Sequence, residues 1–348
     1  MKYLLGKSLD ELQEIVLSIG LPRFAGRQMA EWLYKKRVTT IDEMTNISLK
    51  GREALSQEYI IGRSEPMAVA ESADGTKKYL FKVNGGDAKY NDSTKPLVVE
   101  CVYIPDDDRA TLCVSTQAGC KMGCRFCMTG TLGFQSQLSA CDILNQIFSI
   151  PESNRLTNLV YMGEGEPMDN IDNVLRSLEV MTSDYGCGWS PRRITVSSVG
   201  LIPGLQRFIT ESECHLAISL HNPFAAEREL IMPIQKRYPL DSVINLIRRY
   251  DFSHQRRVSF EYIMFAGRND TMRHAAELKR LLADTDCRIN LIRFHSIGGA
   301  EFQSSDEKRM VEFRDYLTAN GITTTIRRSR GEDIMAACGM LVNELYKI

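Results

Sequence analysis

From residue 111 onward, short runs rich in β-branched residues alternate with amphipathic stretches of about ten to fifteen residues, and this rhythm leaves few folds open. The strand candidates are 111–115, 158–162, 194–198, 216–220, 258–264 and 290–294, each followed by helix-like sequence. Successive βα units favour a parallel sheet, and right-handed crossovers curl them into an open or closed barrel. The spacing therefore predicts an α/β fold whose core, 106–335, is an incomplete (βα)6 barrel. A further strand at 323–328 and a helix from Ile334 complete the chain, with 336–348 as a C-terminal segment.

Ahead of the core, residues 1–55 read as a small helical domain: Leu9, Leu12, Ile15 and Val16 share one face, and Met29, Trp32 and Leu33 another. Residues 56–105 read as a β-rich hairpin linker, with a Gly- and Asp-containing stretch at 85–93 between strand-like flanks. A chain of 348 residues exceeds what one core comfortably serves, which fits a large domain with an appendage. No internal repeat or low-complexity segment is evident.

Hydrophobic residues make up 43% and charged residues 25%, which argues against disorder. Lys7, Asp10, Glu11 and Glu14 interrupt the N-terminus before an apolar leader core could form. No stretch approaches the roughly 18 apolar residues that cross a bilayer, so a cytoplasmic protein without membrane partners is expected. The net charge of −1 excludes a globally basic nucleic-acid binder. Local basic groups remain: Lys35–Arg37, Lys77 and Lys78, Arg192 and Arg193, Arg256 and Arg257, and Arg327, Arg328 and Arg330. Each is a candidate for phosphate contact, although for any single pair a solvated face is the preferred reading.

Ten cysteines in a reducing compartment call for ligand or catalytic roles. Cys120-Lys-Met-Gly-Cys124-Arg-Phe-Cys127 directly follows the first core strand, at the end where such folds place function. Gly119 and Gly123 loosen the turn, so three thiolates can wrap one face of a cubane cluster and leave one iron without a protein ligand. Cys141, the nearest spare, opens a helix and is assigned to packing. A zinc site is the competing reading, but it would need a fourth ligand that no second CxxC or HxxxH supplies. Gly163-Glu164-Gly165-Glu166-Pro167 follows the second strand, where glycines admit a ligand and Glu166 could pair with an ammonium. Ser197, Ser219-Leu220-His221 and His295 follow the third, fourth and sixth strands, at positions suited to ribose or carboxylate, or simply to capping.

The CxxxCxxC loop resembles that of the radical S-adenosylmethionine superfamily. In that superfamily the open iron of a [4Fe-4S] cluster chelates S-adenosylmethionine, and one electron cleaves it to an adenosyl radical. Nearly the whole chain resembles, more narrowly, the RlmN/Cfr family of RNA adenine methyltransferases. The likeness is carried by Arg109-Ala-Thr-Leu-Cys113-Val-Ser, the cluster loop, Tyr161-Met-Gly-Glu-Gly-Glu-Pro-Met168, Ala217-Ile-Ser-Leu-His-Asn-Pro223 and, above all, Arg330-Gly-Glu-Asp-Ile-Met-Ala-Ala-Cys338-Gly. The segment Leu21-Pro-Arg-Phe-Ala-Gly-Arg-Gln-Met-Ala-Glu-Trp-Leu-Tyr-Lys-Lys36 resembles that family's helical RNA-binding appendage.

The resemblance implies the following roles. Cys120, Cys124 and Cys127 hold the cluster; Gly165, Glu166, Ser197, Ser219, Leu220, His221 and His295 contact S-adenosylmethionine, two molecules of which serve each turnover. Cys338 becomes S-methylcysteine and adds its carbon to an adenine, Glu100 takes the ring proton, and Cys113 releases the product, leaving a Cys113–Cys338 disulfide. Without the resemblance, Glu100 would read as an exposed strand carboxylate and Cys113 as a small buried hydrophobe. The implied product is adenine methylated at C2 in 23S rRNA, extending to tRNA, made by a monomer that receives electrons from a donor such as flavodoxin. Two departures stand out. Glu164 replaces the methionine of the family's Met-Gly-Met-Gly-Glu-Pro, and His295 stands where many members have asparagine. The alternatives are methylation at C8, a radical enzyme acting on a protein or small molecule, and a zinc-bearing RNA-binding module.

Overall fold

Burial alternates along the short β-branched runs and falls on one side of the stretches between them, so the runs pair into a sheet that the helices cover. The structure, a computed structural model, describes residues 1–83, 97–253, 256–296 and 301–336.

The N-terminal unit holds β1 (Lys2–Tyr3), α1 (Leu9–Ser18), α2 (Ala25–Ala30), which runs on into a π-helical turn at Glu31–Lys36, α3 (Leu49–Glu58) and β2 (Tyr59–Ile60). Ser8 caps α1 reciprocally with Glu11, and the helix buries Leu12, Ile15 and Val16. Its core is continuous with that of the larger unit.

β3 (Ala68–Glu71), β4 (Lys77–Lys82) and β5 (Val98–Pro105) precede β6 (Ala110–Cys113), and β7 (Gln117–Gly119), α4 (Met128–Leu132) and β8 (Phe134–Gln137) follow it. Next come α5 (Ala140–Phe148), β9 (Asn158–Tyr161), α6 (Ile171–Thr182), β10 (Ile194–Ser198), α7 (Ile202–Glu211) and β11 (His215–Ser219). α8 (Ala225–Ile231), α9 (Leu240–Ile247), β12 (Val258–Met264), α10 (Met272–Leu282), β13 (Cys287–Arg293), α11 (Glu307–Ala319) and β14 (Thr323–Ile326) complete the described elements.

The main sheet is ten-stranded, in the order β14-β13-β12-β11-β10-β9-β6-β5-β4-β3. β6 and β9 to β14 pair in parallel, β6 with β9 and each later strand with the next, so right-handed crossovers carry their helices to one face. β12 is buried along its whole length, as a strand covered on both faces must be.

Several expectations are redrawn. β3, β4 and β5 do not stand apart as a linker: they extend the main sheet in antiparallel pairing beside β6. The stretch 85–93 lies outside the described residues. β7 and β8 form their own antiparallel pair between β6 and α5, so the cysteine loop does not follow β6 directly but is the tip of a hairpin. Cys141 does open α5, where it is buried with its thiol toward the Gly62 carbonyl at 3.3 Å. At Ile334 there is a 3-10 turn, Glu332–Ile334, instead of the start of a helix, and residues 337–348 lie outside the described residues.

β3 and β14 are the two edges of the sheet. The strap after β14 crosses between them: Arg330 Nη2 meets Asp106 Oδ1 at 3.1 Å, and the Gly331 N–H donates to Asp74 Oδ2 at 3.1 Å. Asp333 accepts from Ser72 Oγ at 2.6 Å and from the Ala73 N–H at 3.2 Å. Asp74, held by Thr76 and Gly331, has its carboxyl pulled down to about 2 against the cost of burial, so the strap's anchor is charged at neutral pH.

Candidate active site

Backbone geometry fixes the cysteine loop. The Cys120 N–H donates to the Gly133 carbonyl at 3.1 Å, closing the hairpin tip. Gly119 has φ +71°, and a Cβ there would lie 1.9 Å from the Gly133 oxygen, so no larger residue fits. The Cys127 N–H returns to the Cys124 carbonyl at 3.1 Å, and the Arg125 N–H reaches the Ile231 carbonyl at the end of α8 at 3.0 Å. All three cysteines line one cavity of about 150 Å³, with Met122, Phe126 and Met232 beside them.

Among the described residues no three His, Cys, Asp or Glu side chains converge on a single-ion site. Cys124 is buried in an apolar cluster with Cys120 and Cys127 packed against it, and three thiols are a donor set whose chemistry suits an iron–sulfur cluster. Burial pushes the Cys120 thiol up to about 12 and raises Cys124 and Cys127 as well, so the metal-free loop holds neutral thiols. Binding a metal there would require the release of those protons.

Gly163, Gly165, Glu166, Ser197, Ser219 and His221 line the same cavity from the C-terminal ends of β9, β10 and β11. Gly165, at φ +93°, packs so closely that a Cβ would sit 2.4 Å from the Gln117 side chain. Glu166 accepts from the Met168 and Val199 N–H groups at 3.1 and 2.9 Å, and burial lifts its carboxyl to about 7. His221 adopts a left-handed backbone, φ 55°. Its Nδ1 accepts from the Ile263 N–H at 3.0 Å, which puts the ring proton on Nε2, and burial lowers its pKa to about 3. Leu220 is fully buried and does not line the cavity; its carbonyl accepts from Arg228 Nε at 3.0 Å.

A second cavity, about 170 Å³, adjoins the first and shares Cys127, Met162, Gly163, Ile292 and Arg327 with it. Cys113, His295 and Ala336 complete its working wall. Cys113 sits opposite Val102 across the β5–β6 pairing, and Ala336 packs against both. Cys338 is outside the described residues, two positions past Ala336. His295 Nε2 lies 3.0 Å from Ser329 Oγ and its Nδ1 3.5 Å from Glu332, and burial lowers its pKa.

Glu100 is no exposed carboxylate: it is fully buried, 3.3 Å from the Lys78 ammonium, and lines neither cavity. It shares the face of β5 that carries Val102, toward Cys113. Glu164, buried beside it, accepts from the Glu100 N–H at 2.8 Å and from the Gly119 N–H at 3.4 Å. Burial, then the Glu100 charge, lifts the Glu164 carboxyl to about 8. Where the family pattern has methionine, this chain therefore links β5 to the root of the cluster loop.

Sequence reasoning missed two participants, Glu261 and Arg228, and read a third, Arg327, as a phosphate contact. Glu261 lines the first cavity from the middle of β12, and an acid inside an otherwise apolar strand was the available signal. Arg327 turns inward, its guanidinium 3.7 Å from Glu261. Arg228 is buried on α8, whose short sequence gives no sign of it.

Comparison with known proteins matches residues 3–61 to the ribosomal RNA large subunit methyltransferase N-terminal domain and residues 114–282 to the radical SAM superfamily. The probable dual-specificity RNA methyltransferase RlmN of Phocaeicola vulgatus is 56% identical over 338 residues, 97% of this chain and 94% of the relative. The chain belongs to the RlmN family. The dual-specificity RNA methyltransferase RlmN of Geobacter sulfurreducens is 39% identical, covering 98% of this chain and 92% of that protein. A crystal structure of a radical SAM methyltransferase from Sphaerobacter thermophilus superposes with a TM-score of 0.89 at 35% identity, covering 98% of this chain and 99% of that one. This RlmN-family chain is accordingly a radical S-adenosylmethionine RNA methyltransferase, and its class uses a [4Fe-4S] cluster and S-adenosylmethionine. No helix among its described residues is long and apolar enough to cross a membrane.

Proposed function

We propose that this enzyme methylates C2 of an adenine in 23S rRNA, and in tRNA, by way of Cys338. The observation that carries the reading is the meeting of two walls at Cys127: the cluster loop on one side, and Cys113 with Ala336 on the other. Cys120, Cys124 and Cys127 hold the cluster, and Gly165, Glu166, Ser197, Ser219, the Leu220 backbone, His221 and His295 border S-adenosylmethionine. When bound, the pair supplies one-electron cleavage that yields a carbon radical.

The chain's own residues do the rest. Cys338 would accept a methyl group from one S-adenosylmethionine and, after giving up one hydrogen atom of that methyl to the carbon radical supplied by cleavage of a second, would add its carbon to the adenine. Glu100 takes the ring proton, with Lys78 beside it to steady the carboxylate. Once the adduct's unpaired electron has returned to the oxidised cluster, the Cys113 thiolate would attack the Cys338 sulfur, the carbon–sulfur bond breaking as the disulfide forms and the freed carbon taking a proton to become the methyl group. The target adenine leaves its stack to reach the site. Lys35 and Lys36, the latter 3.5 Å over the Trp32 ring, offer the N-terminal unit's phosphate contacts, with affinity falling as salt rises.

Anaerobic incubation of the reconstituted enzyme with 23S rRNA fragments and tRNA, followed by nucleoside mass spectrometry, tests the reading. It expects 2-methyladenosine from both RNAs. 8-Methyladenosine, or no methylation of either RNA, would overturn it.

A further inference from the structure

Arg228 is fully buried, yet every hydrogen-bond acceptor it meets is neutral. Nε donates to the Leu220 carbonyl at 3.0 Å and Nη1 to the Gln235 amide oxygen at 2.7 Å. Nη2 is shared between the Val199 and Ser219 carbonyls, at 3.1 and 3.0 Å. Neutral donors would satisfy neutral acceptors, whereas a guanidinium taken out of water is costly unless an opposite charge compensates it. Burial lowers its pKa only to about 10, so it is a cation at neutral pH.

A cluster held by the neighbouring cysteine loop would supply that opposite charge. The loop is stitched to the helix that carries Arg228 by the hydrogen bond from the Arg125 N–H to Ile231, and Cys124 packs in the same apolar cluster as Ile231 and Met232. Val199 and Ser219, whose carbonyls Arg228 holds, face the cavity that the three cysteines line.

We propose that Arg228 is a positioning residue whose buried positive charge favours the reduced state of the cluster, while its fork fixes the ends of β10 and β11 around the cofactor cavity. A cluster held by three thiolates carries one net negative charge when oxidised, and a second after accepting one electron from an external reductant. No bond is made or broken in that step, and a nearby cation in a low-dielectric wall stabilises the more negative state. The inference rests on the reading of Cys120, Cys124 and Cys127 as ligands.

The test is a mediator-poised redox titration of full-length, cluster-loaded protein, read by electron paramagnetic resonance, with iron content measured in parallel. Arg228→Gln should cut the reduced-to-oxidised ratio about tenfold at the wild-type midpoint, equivalent to ~59 mV for one electron. Arg228→Lys keeps the charge and should stay near the wild-type ratio. Gln235→Glu sets a carboxylate against Nη1 while leaving Arg228 in place, and should lower the ratio in the same direction. Wild-type ratios in both Arg228→Gln and Gln235→Glu, at full iron content, would overturn the proposal. So would an equal fall in Arg228→Lys, which would place the effect in the fork, or failure of both neutralising variants to load iron, which would make Arg228 purely structural. Wild-type protein that cannot assemble the cluster would instead sink the ligand reading itself.

Discussion

The two cavities that meet at Cys127 are built in opposite ways. The first takes its thiols from residues 120–127, a loop shaped by its own glycines and backbone hydrogen bonds, and its rim from the ends of consecutive strands. The second gathers Ile104 and Cys113 from the start of the core, Met162 from its middle, and Arg327 to Ala336 from its far end. A strap tied to the β3–β4 turn and to Asp106 brings the last of these home. Chemistry assembled locally is carried by spacing, whereas chemistry assembled across the sheet depends on strand order and on the strap.

That contrast breaks most sharply under cysteine substitution. Cys124→Ala should remove the cluster, abolishing both S-adenosylmethionine cleavage and RNA methylation, whereas Cys113→Ala should keep its iron and lose only turnover; iron analysis and low-temperature paramagnetic resonance separate the two. Loss of iron from Cys113→Ala would mean that the walls are not independent.

The strap offers the next largest effect. Gly331 has φ +63°, and a Cβ there would sit 2.8 Å from Thr76 Cγ2 and 2.9 Å from Ala336 Cβ. Gly331→Ala should therefore cost about 1–2 kcal/mol in denaturant unfolding from backbone handedness alone, and more from the contacts. It should also lower RNA methylation more than adenosyl release, because it disturbs the second cavity only. An equal fall in both would show that the strap serves the whole fold.

A gentler change sharpens the comparison at Glu100 and Glu164. Glu164 is raised from an ordinary 4.5 to about 8 by burial and by Glu100, so the folded protein binds this proton more tightly than the unfolded chain does. Its contribution to stability is greatest below about 4.5 and drains away as pH climbs to about 8. Glu164→Gln should flatten that decline, measured as denaturant midpoints of metal-free protein at pH 5 and pH 8. An unchanged slope would mean that Glu164 is ionised throughout.

The smallest expected effect is at the strap's outer hydrogen bond. Ser72→Ala removes one of the two donors to Asp333 and should cost about 0.5–1.5 kcal/mol, again by unfolding.

The strands of the core were legible because β-branched runs alternate with helices, and β10 and β12 begin and end where the pattern places them. β7 and β8 were not, since Gln117–Gly119 and Phe134–Gln137 are short and largely polar, and only their mutual pairing makes them strands. The cysteine trio stands out in any reading of the sequence. Cys113 looked like core packing, and it is indeed mostly buried; only its place opposite Val102 and beside Ala336 sets it on the wall of the second cavity. Glu100 was misleading for the opposite reason. A carboxylate in a strand reads as solvent-facing, and the partner that makes its burial tolerable, Lys78, comes from β4 through a pairing that sequence spacing does not encode. Arg228 and Glu261 share that lesson, because charges in apolar elements acquire meaning from neighbours distant in sequence.

Cross-linking decides whether the two walls serve one reaction. Cys113→Ala protein, cluster-loaded and incubated without oxygen with RNA, S-adenosylmethionine and reductant, should accumulate protein covalently joined to RNA on a denaturing gel, and the band should vanish when Cys338→Ala is added. No joined species in the single variant, with iron intact and adenosyl release proceeding, would contradict the thiol relay on which the account stands.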